Sequence, residues 1–316
     1  MTAPITLAAF AVLVATLGPW LLRSSAWLDR SPRLGILAWQ ALSLSTLIAV
    51  VLAGVALAVP AVPFTGDLAA LLSACTAALR AQYVTPGGAG VSVTGAVLAV
   101  TVLARTGYCL GVGLVTAGRD RRRLLNALTL IARRHEGCDA LVVDDSAAVA
   151  YCLPGRREQI VLTSGVLAAL DDDQLAAVLA HERAHLRERH DLVLTATAAL
   201  QRAFPRVRAF RDAHTATTRL IEMLADDVAA RRNDRLTIAT ALVRLAEAST
   251  PAATLGAGGS ASVARVRRLL GPGHPLGAAH SALVALAAAI LIAIPFAVVA
   301  APAVMAATAG LCPIDF

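Results

Sequence analysis

Two histidines and a glutamate lie close together in a stretch of sequence that is typical of a continuous helix. The stretch Val178–Asp191 contains the pattern His-Glu-x-x-His, in which His181 and His185 are four residues apart. Residues at positions i and i+4 share one helical face, so both imidazoles can point at a single metal ion. Glu182 then lies beside that ion, where its carboxylate can take a proton from water. The pattern predicts a site for metal-assisted hydrolysis, although an ordinary polar helix face is the alternative.

Two histidines do not complete a catalytic zinc site, which needs a third protein ligand and an open position. A candidate third ligand is Glu222, in the later helical segment Glu222-Met223-Leu224-Ala225-Asp226. A carboxylate on a mostly apolar helix is costly to bury without a partner, and a metal ion is such a partner. Asp226, one turn further on, is placed to hydrogen-bond the free nitrogen of a ligand histidine.

The composition of the whole chain indicates membrane spans. Of its 316 residues, 57% are hydrophobic and 16% are charged, and the mean hydropathy is +0.68. Apolar runs at 5–22, 34–59, 91–117 and 281–303 are long enough to cross a bilayer. A signal peptide is the alternative for the first run, but no basic segment precedes it and no convincing cleavage site follows it.

The placement of arginine predicts how the chain is oriented. All 28 basic residues are arginine and the net charge is +7, with clusters in 23–33, in 119–134 and at 265–268 before the last apolar run. By the positive-inside rule the N-terminus is outside and the large region between spans three and four is cytoplasmic. The clusters lie at span ends, where lipid headgroups lie, so direct nucleic-acid binding is not expected. The five cysteines show no CxxC spacing, which argues against a cysteine zinc site.

The region between spans three and four has an α+β pattern. We expect short strands at 140–143, 148–153 and 159–162, with a hairpin turn at Pro154–Arg157. The predicted helices are 119–134, continuing out of span three, 164–170, the metal-motif helix after Asp171, and then 192–204, 206–232 and 236–247. The helix 192–204 is too short to span, so it belongs to a core or lies at the membrane surface. A loop is expected around Gly256–Gly259.

The pattern AAVLAHERAHLRERHD, followed by ExxAD, resembles the membrane-integral gluzincin zinc metallopeptidases. Two branches are similar: the BlaR/MecR-type antirepressors and, more distantly, the HtpX-type and CAAX-prenyl-protease group. The resemblance covers roughly residues 138–232. It implies that one Zn²⁺ is held by His181, His185 and Glu222, that Glu182 is the general base, and that Asp226 supports a ligand histidine from behind. It also implies that a substrate peptide adds to the edge of strand 149–153 or 159–162.

The resemblance completes the predicted fold class, a mainly α membrane protein with about four transmembrane helices and a cytoplasmic α+β zincin-like domain with a small sheet. The predicted segments are two spans in 1–62, an extracytoplasmic loop 63–90, a span 91–117, the zinc metalloprotease domain 118–278, a span 279–304 and an outer tail 305–316.

The order of the spans favours the antirepressor branch. HtpX-type proteins usually place two spans between the histidine motif and the third ligand, whereas here only the short 192–204 helix intervenes. The chain departs from the best-known antirepressors, which carry an extracellular penicillin-binding sensor after the last span. The expected function is a membrane zinc endopeptidase that cleaves a cytoplasmic protein in regulated signalling, such as a transcriptional repressor. A membrane-protein quality-control protease and a catalytically silent receptor or scaffold are the alternatives.

Five further residues carry weaker expectations. His214 and His190 are candidate transition-state stabilisers, although a lone histidine is more often a surface or packing residue. Arg105 lies within span three, where it either serves a functional site or snorkels with help from Gln40 or backbone carbonyls. Cys75 and Cys312 both fall on the outer side of the membrane, which permits a disulfide.

Overall fold

The computed structural model describes residues 2–58, 88–135, 137–155, 158–248, 258–272 and 276–308. The helices are α1 Thr2–Arg23, α2 Trp27–Arg30, α3 Pro32–Ala58, α4 Gly88–Ile131, α5 Ser164–Ala169, α6 Asp172–Arg187, α7 His190–Ala203, α8 Arg208–Ala229, α9 Arg235–Ala248, α10 Gly258–Leu270 and α11 Ala278–Thr308. The strands are β1 Arg133–His135, β2 Ala140–Val143, β3 Ala150–Leu153 and β4 Gln159–Thr163.

Four helices, α1, α3, α4 and α11, are long and apolar enough to cross a membrane. Together with a small mixed sheet, they confirm the predicted fold class. α3 packs against each of the other three and lies at the centre of the bundle. It comes very close to α4 at Gly54 and Gly95, where a Cβ on either residue would lie 2.6 to 2.7 Å from the carbonyl oxygen of the other. Glycine is needed at both positions because any side chain would force the two helices apart.

The sheet has the strand order β1-β2-β4-β3, with β2 and β4 parallel and the other pairs antiparallel. This order leaves β3 at one edge. Ile160 and Leu162 of β4 pack with Leu179 and Leu186 of α6, so the sheet supports the helix that carries the histidine motif. The helix predicted to run to Arg134 is wrong in its last turn, because residues 133–135 pair with β2 as β1.

The helix α10 was not predicted from the sequence. The sequence predicts a loop around Gly256–Gly259 and indicates that the arginines that follow mark the approach to the last span. The structure instead has a helix from Gly258, whose residues Val266 and Leu269 pack with Ile238 of α9 and Ala229 of α8. The helix forms because its apolar residues recur at helical spacing and are buried against α8 and α9.

The helices α7 and α8 form a hairpin whose turn lies among the spans. Val207 and Ala209 pack with Val14 of α1, Leu42 of α3 and Leu291 of α11. Val14 lies nine residues before the end of α1, or about 13 Å along a helix. The turn therefore reaches well into the apolar bundle.

The intramembrane arginine of span three has a partner on this hairpin. Arg105 donates from Nε to the carbonyl oxygen of Ala203, at the end of α7. Further along α4, a Cβ on Gly113 would lie 2.6 Å from the guanidinium of Arg202. The 192–204 segment is thus core, packed on span three.

Three predictions fall wholly or largely outside the described residues. Cys75 and Cys312, and with them the predicted disulfide, lie in the parts of the chain that the structure does not describe, as do residues 63–87 of the predicted outer loop and 309–316 of the predicted tail.

Candidate metal centre

The start of α6 is fixed by a capping box. The side chain of Asp171 accepts a hydrogen bond from the backbone N–H of Gln174 at 2.8 Å, and the backbone N–H of Asp171 donates to the Gln174 side chain at 3.4 Å. Asp172 and Asp173 add negative charge to the first turn, where it complements the helix dipole. The cap and the apolar contact with the sheet together set which way the later residues of α6 face.

The two motif histidines and Glu222 of α8 form a compact triangle. Nε2 of His181 lies 3.2 Å from Nε2 of His185. The carboxylate oxygens of Glu222 lie 3.5 Å from His181 Nε2 and 3.6 Å from His185 Nε2. Zinc bonds of about 2.0–2.2 Å in a tetrahedral arrangement place neighbouring ligand atoms about 3.3–3.6 Å apart. The three residues therefore form a group that could hold a metal ion, and their spacing fits zinc.

Each motif histidine is held from behind through its other nitrogen. His181 Nδ1 lies 3.0 Å from a carboxylate oxygen of Asp226, which is 1% exposed. His185 Nδ1 lies 3.1 Å from Nδ1 of His190, with the two rings edge to face. His190 is the first residue of α7, and it follows Arg189, whose φ of 52° turns the chain between the helices. These contacts leave both Nε2 atoms pointing into the triangle.

Arg265 of α10 is a site residue that sequence reasoning missed. Its Nε and Nη2 donate to the two carboxylate oxygens of Asp226 at 2.8 and 2.6 Å, and its Nη1 donates to Glu222 at 3.0 Å. Nη2 also lies 3.5 Å from the ring nitrogens of His181. The sequence placed Arg265 in a basic cluster at a span end. The helical spacing of Val266 and Leu269 beside it was the available signal.

The cavity in front of the triangle has a volume of about 320 Å³, and its lining has more acidic than basic side chains. Its charged lining consists of the carboxylates Glu182, Glu222 and Asp226 and the guanidinium of Arg265. The three carboxylates outnumber the guanidinium by two. Burial alone would lower the pKa of His181, but hydrogen bonds to Asp226 and Glu222 raise it to about 9, so without a metal ion His181 carries a proton at neutral pH and the lining keeps one negative charge in excess. A cation bound at the histidines would take the place of that proton.

The environment adjusts the pKa values of these groups. Burial raises the pKa of Glu182, which suits a general base near neutral pH. Burial, followed by the charge of His181, lowers the pKa of His185 to about 4, which keeps this imidazole in the neutral form that binds metals. Burial alone would raise the pKa of Asp226, but hydrogen bonds from Arg265 and His181 bring it to about 2. Burial, with the nearby Glu182 carboxylate, raises the pKa of the Cys152 thiol to about 12, so this thiol stays protonated beside the base.

The two other predicted candidates lie elsewhere. His214 is part of the α7–α8 hairpin, where its Nδ1 lies 2.9 Å from the hydroxyl of Thr197. His190 contacts His185 from behind. Within the described part of the chain, neither histidine is among the residues that line the cavity.

The walls of the cavity come from two elements of different character. On one side, Ala148, Val149 and Ala150 bring in the edge strand β3 and the residues before it. On the other side, α9 contributes the apolar residues Ile238 and Leu242, with further lining from Ala241 and Leu245. An edge strand beside a metal triangle can hold an extended peptide by backbone hydrogen bonds.

Comparison with known proteins gives a partial match. Residues 117–218 match the family model described as Peptidase family M48. This segment contains His181, Glu182 and His185 and ends just before Glu222. Over 62 residues the chain is 44% identical to a protein described as "Protease HtpX homolog" from Acidiphilium cryptum (strain JF-5), which is 19% of this chain and 21% of that protein. The chain thus matches about a fifth of the length of this curated relative. No solved structure matches the chain.

Proposed function

We propose that this chain is an integral membrane zinc endopeptidase. The observation that carries the proposal is the triangle of His181, His185 and Glu222 with Glu182 on the next position of the same helix. The match to Peptidase family M48 over residues 117–218 supports the same reaction class. A zinc ion in the triangle would supply a Lewis acid that polarises a peptide carbonyl and makes water a better nucleophile.

The residues of the chain have separate tasks in this reaction. Glu182 takes the proton of the attacking water and passes it to the nitrogen of the leaving amine. The edge of β3 aligns the substrate backbone, and the apolar side of the cavity on α9 receives a side chain. The guanidinium of Arg265 holds Glu222 and Asp226 in place and adds a positive charge near the carbonyl oxygen as that oxygen becomes negative.

We assign the protease domain to the cytoplasm and the substrate to a cytoplasmic protein or protein segment. Regulated cleavage of a transcriptional repressor, as in the BlaR/MecR-type branch, is the first candidate role, because a full span follows the domain and one short helix separates the histidine motif from Glu222. Quality control of membrane proteins is the second. The relative described as a protease HtpX homolog favours the second role. So does the α7–α8 turn, which enters the bundle at the point in the chain where HtpX-type proteins usually carry two spans.

Metal removal tests the reaction. The purified full-length chain in detergent should contain about one zinc per chain and should cleave an unfolded protein such as casein. A chelator should abolish cleavage, and zinc should restore it. His185→Ala should remove both zinc and cleavage, whereas His214→Ala should keep both. A wild-type chain that binds no zinc, or that cleaves equally well without it, would refute the proposal.

A second experiment separates the two roles. Proteomes of cells that carry wild type or Glu182→Gln should differ in one class of protein. Accumulation of an intact DNA-binding repressor supports regulated cleavage, and accumulation of damaged membrane proteins supports quality control. If neither class changes, both roles are wrong.

A further inference from the structure

A second cavity lies behind the metal centre, on the other side of the same two helices. It has a volume of about 410 Å³ and is bounded by α6 and by the end of α8 with the residues that follow. Four of its lining residues are arginines, Arg183 and Arg187 of α6 and Arg231 and Arg232 after α8. The lining contains no carboxylate among the residues that the structure describes. We call this feature the arginine cavity.

Three of the four guanidinium groups have no protein partner in the described parts of the chain. Arg183 donates to the carbonyl oxygen of Cys138 at 3.4 Å. No side-chain hydrogen bond or ion pair within the described ranges involves Arg187, Arg231 or Arg232. An adjoining cavity places Asp139 and Glu158 near Arg183 and Arg187, but Arg231 and Arg232 are not among the residues that line that adjoining cavity.

Two arginines of the neighbouring helix α10 do have carboxylate partners on α8. Arg268, for example, makes two hydrogen bonds of 2.7 Å to Asp227, and Arg265 is fully engaged in the metal centre. Four like charges around one cavity repel one another, and an anion between them turns that repulsion into attraction. Guanidinium groups bind phosphate through paired N–H donors, so several of them around one cavity suit a phosphate group in particular.

The arginine cavity is tied at both ends to the loop between spans one and two. Glu188, next to Arg187, pairs with Arg33 at the start of α3. Asp227, next to the cavity residue Val228, pairs with Arg268, whose Nε donates to the carbonyl oxygen of Asp29 in the same loop. Because this loop joins two candidate spans, we expect the cavity to lie near the depth at which the phosphates of lipid headgroups are found.

We propose that the arginine cavity binds a phosphate group, and that its source is the headgroup of an anionic lipid in the leaflet beside this loop. The bound phosphate holds α6 and α8 together from behind. Since these two helices carry His181, His185 and Glu222, the lipid stabilises the metal centre without touching it. The proposal does not depend on the reaction that the metal centre catalyses.

Direct binding tests this proposal. The zinc-loaded full-length chain in detergent is titrated with phosphatidylglycerol, with phosphatidylcholine and with inorganic phosphate, and bound molecules are counted by native mass spectrometry. Wild type should retain one phosphatidylglycerol far longer than a phosphatidylcholine. R231Q/R232Q should bind phosphatidylglycerol about tenfold to hundredfold more weakly, because each arginine near a headgroup contributes a substantial part of such binding.

A matched control removes the same amount of charge elsewhere. R244Q/R267Q replaces two exposed arginines that do not line the cavity, and it should bind phosphatidylglycerol like wild type. R231K/R232K keeps the charge but loses the paired donors, and it guards against a folding defect in the glutamine variant. It should bind with intermediate strength.

The outcomes divide clearly. Equal binding of phosphatidylglycerol and phosphatidylcholine by wild type, with no binding of phosphate, overturns the proposal. Equal weakening in R231Q/R232Q and R244Q/R267Q also overturns it, because the effect is then one of net charge. Saturation by inorganic phosphate with no preference among lipids supports the phosphate site and overturns the lipid as its source.

Discussion

The two sides of the α6–α8 helix pair carry opposite charge. In front, the cavity is lined by three carboxylates and one arginine, and the arginine cavity behind is lined by four arginines and, among the described residues, by no carboxylate. A surplus of one sign in a confined space indicates a ligand of the other sign. The same two helices therefore point to a divalent cation on one side and to an anion on the other.

The two sides also differ in burial, and burial determines how large an effect a substitution on each side can have. Asp226 is 1% exposed and shares its hydrogen bonds with Arg265 and His181, so a change there leaves a buried charge without its partner. Arg187, Arg231 and Arg232 are exposed, and water can solvate them. We expect substitutions in front to have large effects and substitutions behind to have small ones.

The largest effect should follow Glu182→Gln. Loss of the general base should lower the rate of peptide hydrolysis by about 10² to 10⁴-fold. Zinc content should stay at the wild-type level because Glu182 is not a ligand. Hydrolysis of a fluorogenic peptide and metal analysis on the same preparation measure both, with the exposed Glu247→Gln as control. Hydrolysis at the wild-type rate would remove Glu182 from the mechanism.

Asp226→Asn should come next. It weakens the hold on His181 and leaves Arg265 with an uncharged partner, so zinc affinity should fall by about 10 to 100-fold. The free energy of unfolding should fall by about 3 kcal/mol. Chelator competition and denaturant unfolding measure the two quantities. Adding Arg265→Gln should recover part of the stability but not the zinc affinity; full recovery of both would mean that the carboxylate does not position His181.

His190→Ala should have a smaller effect on the same side. It removes the contact at His185 Nδ1, and zinc affinity should fall by about tenfold. His214→Ala is the matched control, since His214 contacts Thr197 in the hairpin and should leave zinc affinity unchanged. Equal zinc affinity in the two variants would show that His190 does not position His185.

The smallest effect should follow Arg231→Gln, measured in detergent with no anionic lipid. Zinc affinity and hydrolysis should both stay within about twofold of wild type, because an exposed arginine without an ion pair contributes little to folding. A loss as large as that of Asp226→Asn would mean that the two sides are not separate.

Local pattern was sufficient for the centre of the metal site. His181, Glu182 and His185 follow from spacing on one helix, and the apolar setting of Glu222 marked it as a partner. Arg265 could not be found in this way, because its role depends on α10 folding back against α8 and α9. Its arginine neighbours also indicate a span end. The rule is sound, but Arg265 instead contacts Asp226 and Glu222 in the folded chain.

The length of an apolar run identifies the spans, but it does not identify the position of the α7–α8 hairpin. A long apolar run has few places to go other than a bilayer, so length alone identifies it. The 192–204 run is short and fits either a core or a surface. Its position depends on contacts between Val207 and residues of three different spans. These residues are far apart in the sequence, so no local pattern predicts the contacts.

The third span has a mechanical consequence. α4 is one helix of 44 residues, about 66 Å long, and it contains no proline. It begins before the apolar run of span three and ends two residues before β1, so a single stiff rod joins the far side of the bilayer to the sheet. A tilt of about 5° around its middle would move each end by about 3 Å in opposite directions. A force on the end of α4 that is farther from the sheet would therefore reach, through the four strands, the edge strand β3 beside the cavity, as a lever delivers a push.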